Sequence, residues 1–349
     1  MDDIVVCKIL DPGMRKRIGE TIPLKLSKAR GMEAKGLIHI PEPGETKPVP
    51  MPSVPVAAQG KSEAGVEVFN RNEYRKHSEY PRVAWVQDFS KYGGAEYSNL
   101  HVIRTGQKLG FDIVGVTPKT FNRSVIRDAQ VVIVNNVFEF DEKQLKDLYW
   151  ELFEYKKRFI KYDHDMRELR RLPKTRCLFE RSAANVFLSG AHAKEYEKEH
   201  ICGIPIPLAI DTAFWRNLRA ERKPNTCIIP TYHKGPQNHD KIIAEHKDWQ
   251  FTVIGNKLPT KKPNIHVLGK RTPEQMRELF NTHEHMAHCP AVLWAGERVY
   301  FEAMLCGCKT IINDNVGHKS WGAIERSSLE IAPYKFWELV ENVIEKGKP

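Results

Sequence analysis

A few short stretches of this 349-residue chain carry residue types whose spacing suits chemistry. The longest runs Leu293-Trp-Ala-Gly-Glu-Arg-Val-Tyr-Phe-Glu-Ala-Met-Leu-Cys-Gly-Cys-Lys-Thr-Ile-Ile-Asn-Asp-Asn-Val-Gly317. It reads as a loop, a helix opening near Arg298 and closed by Gly307, and a buried strand at Thr310–Asn313. A helix N-terminus offers free N–H groups and a positive dipole end, both suited to a phosphate. Glu302, one turn further in, is placed to accept hydrogen bonds from sugar hydroxyls. In Asp163-His164-Asp165, a histidine flanked by carboxylates suits a general base or a hydrogen-bond donor. The triplet also has a D-x-D form of the kind that holds a divalent metal in other enzymes, a reading that the two α/β domains expected from Arg82 onward argue against. Gly93-Gly94-Ala95-Glu96 permits close backbone approach by a ligand, and Lys234 in Tyr232-His-Lys-Gly235 is a compact charge for a diphosphate. Each stretch also has a plain structural reading as an αβ unit, a solvated loop or a turn.

The elements that must position these residues alternate from Arg82 onward, as in a parallel α/β sheet. Strands are expected at 83–87, 111–116, 131–135, 159–162, 185–188 and 204–208, with helices at 95–109, 141–155 and 191–199. A second series has strands at 227–230, 250–254 and 265–268 and helices at 239–246 and 273–281, the latter with Thr272 as N-cap. A strand–helix–strand unit over 291–313 and an amphipathic helix over 333–346 complete it. Before residue 80, strands at 4–9 and 37–40, a helix at 26–34 and a proline-rich linker at 41–55 suggest a small α+β appendage. The expected domains are 1–55, 56–212 and 213–349. Two tandem α/β domains leave a cleft between the carboxyl ends of their strands. No G-x-G-x-x-G follows any expected strand, which argues against a nicotinamide or flavin cofactor.

Hydrophobic content of 41% fits a soluble globular chain, and no apolar run approaches the ~20 residues a membrane helix needs. The N-terminus does not read as a signal peptide, and the seven cysteines lack paired CxxC spacing, so a cytoplasmic protein with free thiols is expected. The net charge of +10 points to an acidic partner. Ten basic and four acidic residues lie between Lys156 and Arg181, bracketing His164. Such a rim favours a polyanion, nucleic acid ahead of anionic lipid, although a merely solvated face is the plain alternative.

The motifs, taken in order, resemble the GT4-type glycosyltransferases of the GT-B fold. The segment Glu302-Ala-Met-Leu-Cys-Gly-Cys-Lys-Thr-Ile with Asn315-Val-Gly317 is similar to their donor-binding segment, Gly93-Gly94-Ala95-Glu96 to their GGAE turn, and Ile206–Phe214 to their interdomain segment. Ser189-Gly-Ala-His192 is similar to their strand-end serine. The resemblance spans about 82–346 and implies two Rossmann-like domains facing a cleft, α/β in class, with an N-terminal acceptor domain and a C-terminal donor domain. It implies a nucleotide-sugar donor, sugar transfer with retention, and no metal or cofactor. It assigns donor binding to Gly93, Gly94, Lys234, Gly296, Arg298, Val299 and Glu302, with Glu302 on the ribose, and catalysis to His164, Asp163 and Glu297. Two departures stand out. Ile229 occupies the arginine position before Lys234, leaving His233 or Arg298 as substitutes, and Trp294 replaces the first of the family's paired glutamates. An epimerase or phosphorylase on the same fold, and a catalytically silent binding protein, remain as alternatives.

Overall fold

The computed structural model describes residues 4–9, 21–25, 38–39, 81–88, 94–166, 168–231, 238–255, 262–322 and 324–346. The chain divides into two compact units, Met1–Glu67 and Val68–Pro349. In the first, β1 (Ile4–Ile9) lies between β2 (Thr21–Lys25) and β3 (Ile38–His39) in an antiparallel sheet. Pro23 hides β2 from a sequence reading, yet β2 is an edge strand, where a missing N–H is tolerated. The helix expected at 26–34 and the linker at 41–55 lie outside the described residues.

The second unit holds two parallel sheets. Apolar runs bounded by turn residues form β4 (Arg82–Val86), β5 (Asp112–Val116), β6 (Val131–Val134), β7 (Phe159–Tyr162), β8 (Ala184–Phe187) and β9 (Ile204–Pro205). Their order is β5-β4-β6-β7-β8-β9, all parallel. Helices α1 (Gly94–Lys108), α2 (Arg123–Asp128), α3 (Glu142–Tyr149), α4 (Glu168–Arg171), α5 (Arg176–Glu180) and α6 (Gly190–Glu197) connect them. Both faces are covered, so Val131–Val134 is wholly buried, as a parallel strand requires. Helix α3 opens on a capping box from Asp141 and Gln144 and continues into a π turn at Trp150–Glu154.

The second sheet contains β10 (Lys223–Thr231), β11 (Gln250–Gly255), β12 (Ile265–Val267), β13 (His283–His288) and β14 (Lys309–Ile312), ordered β12-β11-β10-β13-β14 and parallel throughout. Its helices are α7 (His239–Glu245), α8 (Pro273–Thr282) and α9 (Arg298–Leu305). Thr272 caps α8, its Oγ1 accepting from Gln275 N at 3.3 Å. In each sheet the first strand is flanked on both sides by later ones, so the strand order reverses beside β4 and beside β10. The crevices beyond the carboxyl ends of β4/β6 and β10/β13 are therefore the places where such sheets receive ligands.

Besides β2, the short helices α2, α4 and α5 fall where the sequence reading has none. Two elements of the second unit depart from it further: the strand expected to open the 291–313 unit lies earlier, as β13, and the last helix begins earlier. Strand β13 is His-Glu-His-Met-Ala-His, too polar to resemble a buried run, and it is stabilised by pairing on both sides and by His285 stacking on Trp249 at 4.3 Å. The last helix, α10 (Arg326–Glu345), starts seven residues before Pro333, which sits inside it. An interior proline costs a helix about 3 kcal/mol. Burial of Leu329, Phe336, Trp337 and Val340 offsets that cost. Helix α10 packs on the first sheet's domain: Trp337 lies 4.4 Å from Phe111, and its Nε1 donates to Val102 O at 2.7 Å. Arg158 closes the helix by donating to Val343 O and Lys346 O at 2.8 and 2.7 Å. Segment 213–349 thus supplies the second sheet and also a helix that covers the first.

Candidate functional site

The site is assembled where α9 begins. Trp294 N donates to Asn315 O at 2.9 Å, and Trp294 bridges Val316, so the loop before α9 lies strand-like against the loop after β14. Asn313 and Asn315 both donate to Pro290 O, at 2.8 and 3.0 Å, fixing that second loop to the end of β13. Close approach requires two glycines. A Cβ on Gly317 would overlap the carbonyls of Trp294 and Ala295, and one on Gly296 would overlap the His318 ring. His318 is fully buried, and its Nδ1 accepts from Glu297 N at 2.9 Å. Burial pushes its pKa down to about 3, so the ring is neutral.

Glu297 is the N-cap residue of α9 but does not cap it with its side chain. Its Oε2 instead lies 3.4 Å from His288 Nε2, at the end of β13. Both residues are buried, and Glu297 Oε1 and both His288 ring nitrogens make no hydrogen bond among the described residues. Val299 is buried behind the helix start, at 4% exposure. Arg298 and Glu302, one turn apart, form an ion pair through Nε and Oε1. Burial raises the Glu302 pKa, with the Arg298 charge and hydrogen bond opposing it.

Arg298 also crosses to the first domain. Its Nη1 donates to Ser98 Oγ at 3.1 Å and Ala209 O at 3.4 Å, and its guanidinium stands 5.8 Å from the Tyr97 ring centre. The Cβ position of Gly94 is 3.6 Å from Arg298 Cβ, so α1 begins directly across from α9. Further contacts join the domains. Ser189 Oγ donates to Ala295 O at 2.6 Å, Ala191 N donates to Ser320 Oγ at 3.0 Å, and Trp321 Nε1 donates to Leu188 O at 3.2 Å. Ser189, the strand-end serine of the resemblance, thus joins the two domains. Gly94, Gly296, Glu297, Arg298, Val299 and Glu302 cluster at this junction, whereas Gly93, Tyr232, His233 and Lys234 lie outside the described residues.

The Asp163–Asp165 triplet divides by burial. Asp163 is fully buried, accepting from Tyr196 Oη at 2.6 Å, His192 Nε2 at 3.2 Å and Asp165 N at 3.3 Å. Burial alone would raise its pKa, but Lys161, His192 and Tyr196 outweigh it and hold the carboxyl well below the usual range. An ion so committed holds the backbone turn in place. His164 is partly exposed, its ring 4.5 Å from that of Tyr162. Glu168 joins the same cluster: its Oε2 accepts from Lys161 Nζ at 2.9 Å, and burial, with the Asp163 charge adding and the Lys161 charge opposing, pushes its pKa up to about 8. Among the described residues, no group of three or more His, Cys, Asp or Glu is arranged to hold a metal ion.

Much of the basic run is internally committed. Lys161 is buried, Arg158 closes α10, and Lys157 donates to Ala129 O at 3.1 Å. Arg176 pairs with Glu180 and Glu199 at 2.7 and 3.2 Å, and Arg181 lies over Phe153 at 4.6 Å. The side chains of Arg167, Arg170 and Arg171 lie outside the described residues.

Sequence reasoning missed His288, His318 and Asp88. Asp88 follows β4 at the first domain's reversal crevice, 9% exposed, and both its carboxylate oxygens accept from Glu139 N, at 3.2 and 3.1 Å. The available signal was a lone carboxylate directly after an apolar strand.

No protein-family description and no curated protein matches this chain. Solved structures do. HepE of Anabaena in complex with UDP and glucose is 12% identical, with a TM-score of 0.52 over 76% of this chain and 92% of that one. An α-glucosyltransferase in complex with UDP and a 13-mer DNA is 13% identical, with a TM-score of 0.51 over 74% and 90%. Sucrose-phosphate synthase of Thermosynechococcus elongatus is 10% identical, with a TM-score of 0.53 over 76% and 93%. The fold is GT-B: two parallel α/β domains that meet at the carboxyl edges of their sheets.

Proposed function

We propose that this chain is a glycosyltransferase that moves a sugar from a nucleotide-sugar donor, held by the second domain, to an acceptor held by the first. The observation that carries this reading is the junction of α9 with α1. A helix N-terminus, with the buried Glu302 one turn inside it, faces Gly94–Ser98 of the opposite domain. N–H groups and the dipole at that helix end suit a diphosphate leaving group, and charge stabilisation there lowers the barrier for its departure. Glu302 suits a ribose once Arg298 turns toward the phosphates. Glu297 and His288 offer buried, unpaired polar atoms to the hydroxyls of the transferred sugar. Several solved structures of similar fold, HepE and the α-glucosyltransferase among them, are complexes with UDP, UDP-glucose or UDP and glucose, which supports a nucleotide-sugar donor.

Retention at the anomeric carbon, a hexosyl or pentosyl group, the GT4-type assignment and metal independence belong to this proposal. So does a cytoplasmic location; no described helix is long and apolar enough to cross a membrane. We favour a nucleic-acid acceptor over an anionic lipid. The net charge of +10 and the DNA bound by one protein of similar fold support it, while the internal pairing of the basic run narrows that support. Trp294, where the resemblance places a glutamate, favours one alternative: donor binding without transfer. Incubation with radiolabelled nucleotide sugars, alone and with oligonucleotides, anionic vesicles or neutral glycans, separates the readings. Transfer that survives chelator supports the proposal. Donor conversion without transfer indicates an epimerase or phosphorylase, and binding alone a silent protein.

A further inference from the structure

A pocket of about 300 Å³ opens at the amino edge of the first sheet, away from the crevice at its carboxyl edge. Its floor is apolar, with Phe153 and Phe159, and its walls are Lys156, Lys157, Arg158 and Arg181. Consecutive residues of an extended chain point to opposite sides, so three cations in a row need a reason to share one pocket. The π turn at Trp150–Glu154 closes with Tyr155 N donating to Trp150 O, and Lys156 takes the left-handed region at φ 49°, which swings the chain round before β7. Arg181 joins them from the turn before β8, the strand beside β7.

The partners that fix these cations are neutral. Lys157 donates to Ala129 O at 3.1 Å, Arg158 to Val343 O and Lys346 O, and Arg181 lies over the Phe153 ring at 4.6 Å. A carbonyl or a ring face orients a cation without cancelling its charge, and the carbonyl end of a helix offers at most about half a charge. Glu151 and Glu180 are turned to other arginines, Glu151 to Arg123 and Arg127 and Glu180 to Arg176. No carboxylate lines the pocket among the described residues. Trp150, which opens the same π turn, is 53% exposed.

We propose that this pocket binds a single-stranded nucleic acid, with backbone phosphates on the four cations and a base stacked on Trp150. Positioned cations beside an exposed aromatic ring are what a flexible strand requires. A flat anionic membrane reaches protruding charges, not the half-buried Lys157 and Arg158, and a duplex is too stiff to enter. That the strand is also the sugar acceptor rests on the glycosyltransferase reading, in which the pocket anchors it at a distance from the crevice. Binding of the strand does not depend on that reading.

The test measures fluorescence anisotropy of labelled, mixed-sequence DNA and RNA single strands with the full chain. Four neutralised phosphates give a log–log salt slope of about −2.8, so affinity should fall about 50-fold between 50 and 200 mM salt. Lys156→Ser/Arg181→Ser alters two exposed residues and should flatten the slope to about −1.4, a fall of about 7-fold, with UDP affinity by calorimetry unchanged. Trp150→Ala should weaken binding roughly 5- to 150-fold and leave the slope as it is. The pocket assignment is overturned by no strand binding at low salt, by a slope that survives the double substitution, by full affinity in Trp150→Ala, or by phosphatidylserine vesicles that bind through the same two cations when strands do not. UDP binding alongside any of these leaves the donor site standing. Pocket-dependent strand binding by a chain that binds no nucleoside diphosphate upholds the pocket and overturns the donor site.

Discussion

Replacing Arg298 with methionine tests how the junction is held. The substitution keeps an apolar stem but removes the partner of Glu302 and the hydrogen bonds to Ser98 and Ala209. The side chains of Arg298 and Glu302 are 13% and 11% exposed, so the carboxylate left behind is nearly dry. Breaking a buried pair on one side costs about 3–5 kcal/mol. Protonation relieves part of that. The folded-state pKa of Glu302 is already raised by burial, so its ionised form is disfavoured, and the stability it contributes is present at low pH and lost as pH rises through that value. Loss of Arg298 raises the pKa further. Arg298→Met should therefore cost about 3 kcal/mol at pH 8 and clearly less at pH 5.5. Urea denaturation of wild type, both single variants and Arg298→Met/Glu302→Gln at both pH values measures this. The double variant should recover about 2 kcal/mol or more relative to Arg298→Met, since no buried charge is left unpaired. A single variant within about 0.5 kcal/mol of wild type at pH 8, or equally destabilised at both pH values, would refute the reasoning.

Gly296→Ala drives a methyl group into the fully buried His318 ring and should destabilise by about 1–3 kcal/mol while weakening nucleotide binding, measured by denaturation and calorimetry on one preparation. Trp337→Ala empties the contact between α10 and the first sheet's domain and should cost about 3–5 kcal/mol. Trp337→Phe, which mainly loses the bond to Val102 O, should cost less than half as much, and limited proteolysis should cut α10 only in the alanine variant.

The α/β alternation from Arg82 was legible because parallel strands buried on both faces are short apolar runs, as at Val131–Val134 and Phe159–Tyr162. β13 was not, because its histidines are covered, His283 and His288 almost wholly and His285 in part, by neighbours that local pattern does not reveal: Thr252 bonds His283, Trp249 stacks on His285, and Trp294 packs edge-on to His288. Pro333 misled because a tertiary contact outweighs its local penalty. At the site, helix start and Glu302 followed from spacing. The Arg298–Glu302 pair was also available at i,i+4, but its reach to Ser98 and Ala209 was not, since those contacts join residues 200 and 89 positions apart. The burial of Asp163 was hidden for the same reason: its partners His192 and Tyr196 come from α6, the helix after the next strand.

The central claim is that the second domain holds a nucleotide-sugar at α9. Calorimetric titration of nucleoside diphosphates into the wild type and Glu302→Ala tests it most directly. The account predicts saturable binding of at least one nucleotide to the wild type, weakened in the variant by about 1.5–3 kcal/mol, or roughly 10- to 150-fold. Unchanged affinity in Glu302→Ala, or a wild type that binds none of them, would contradict it.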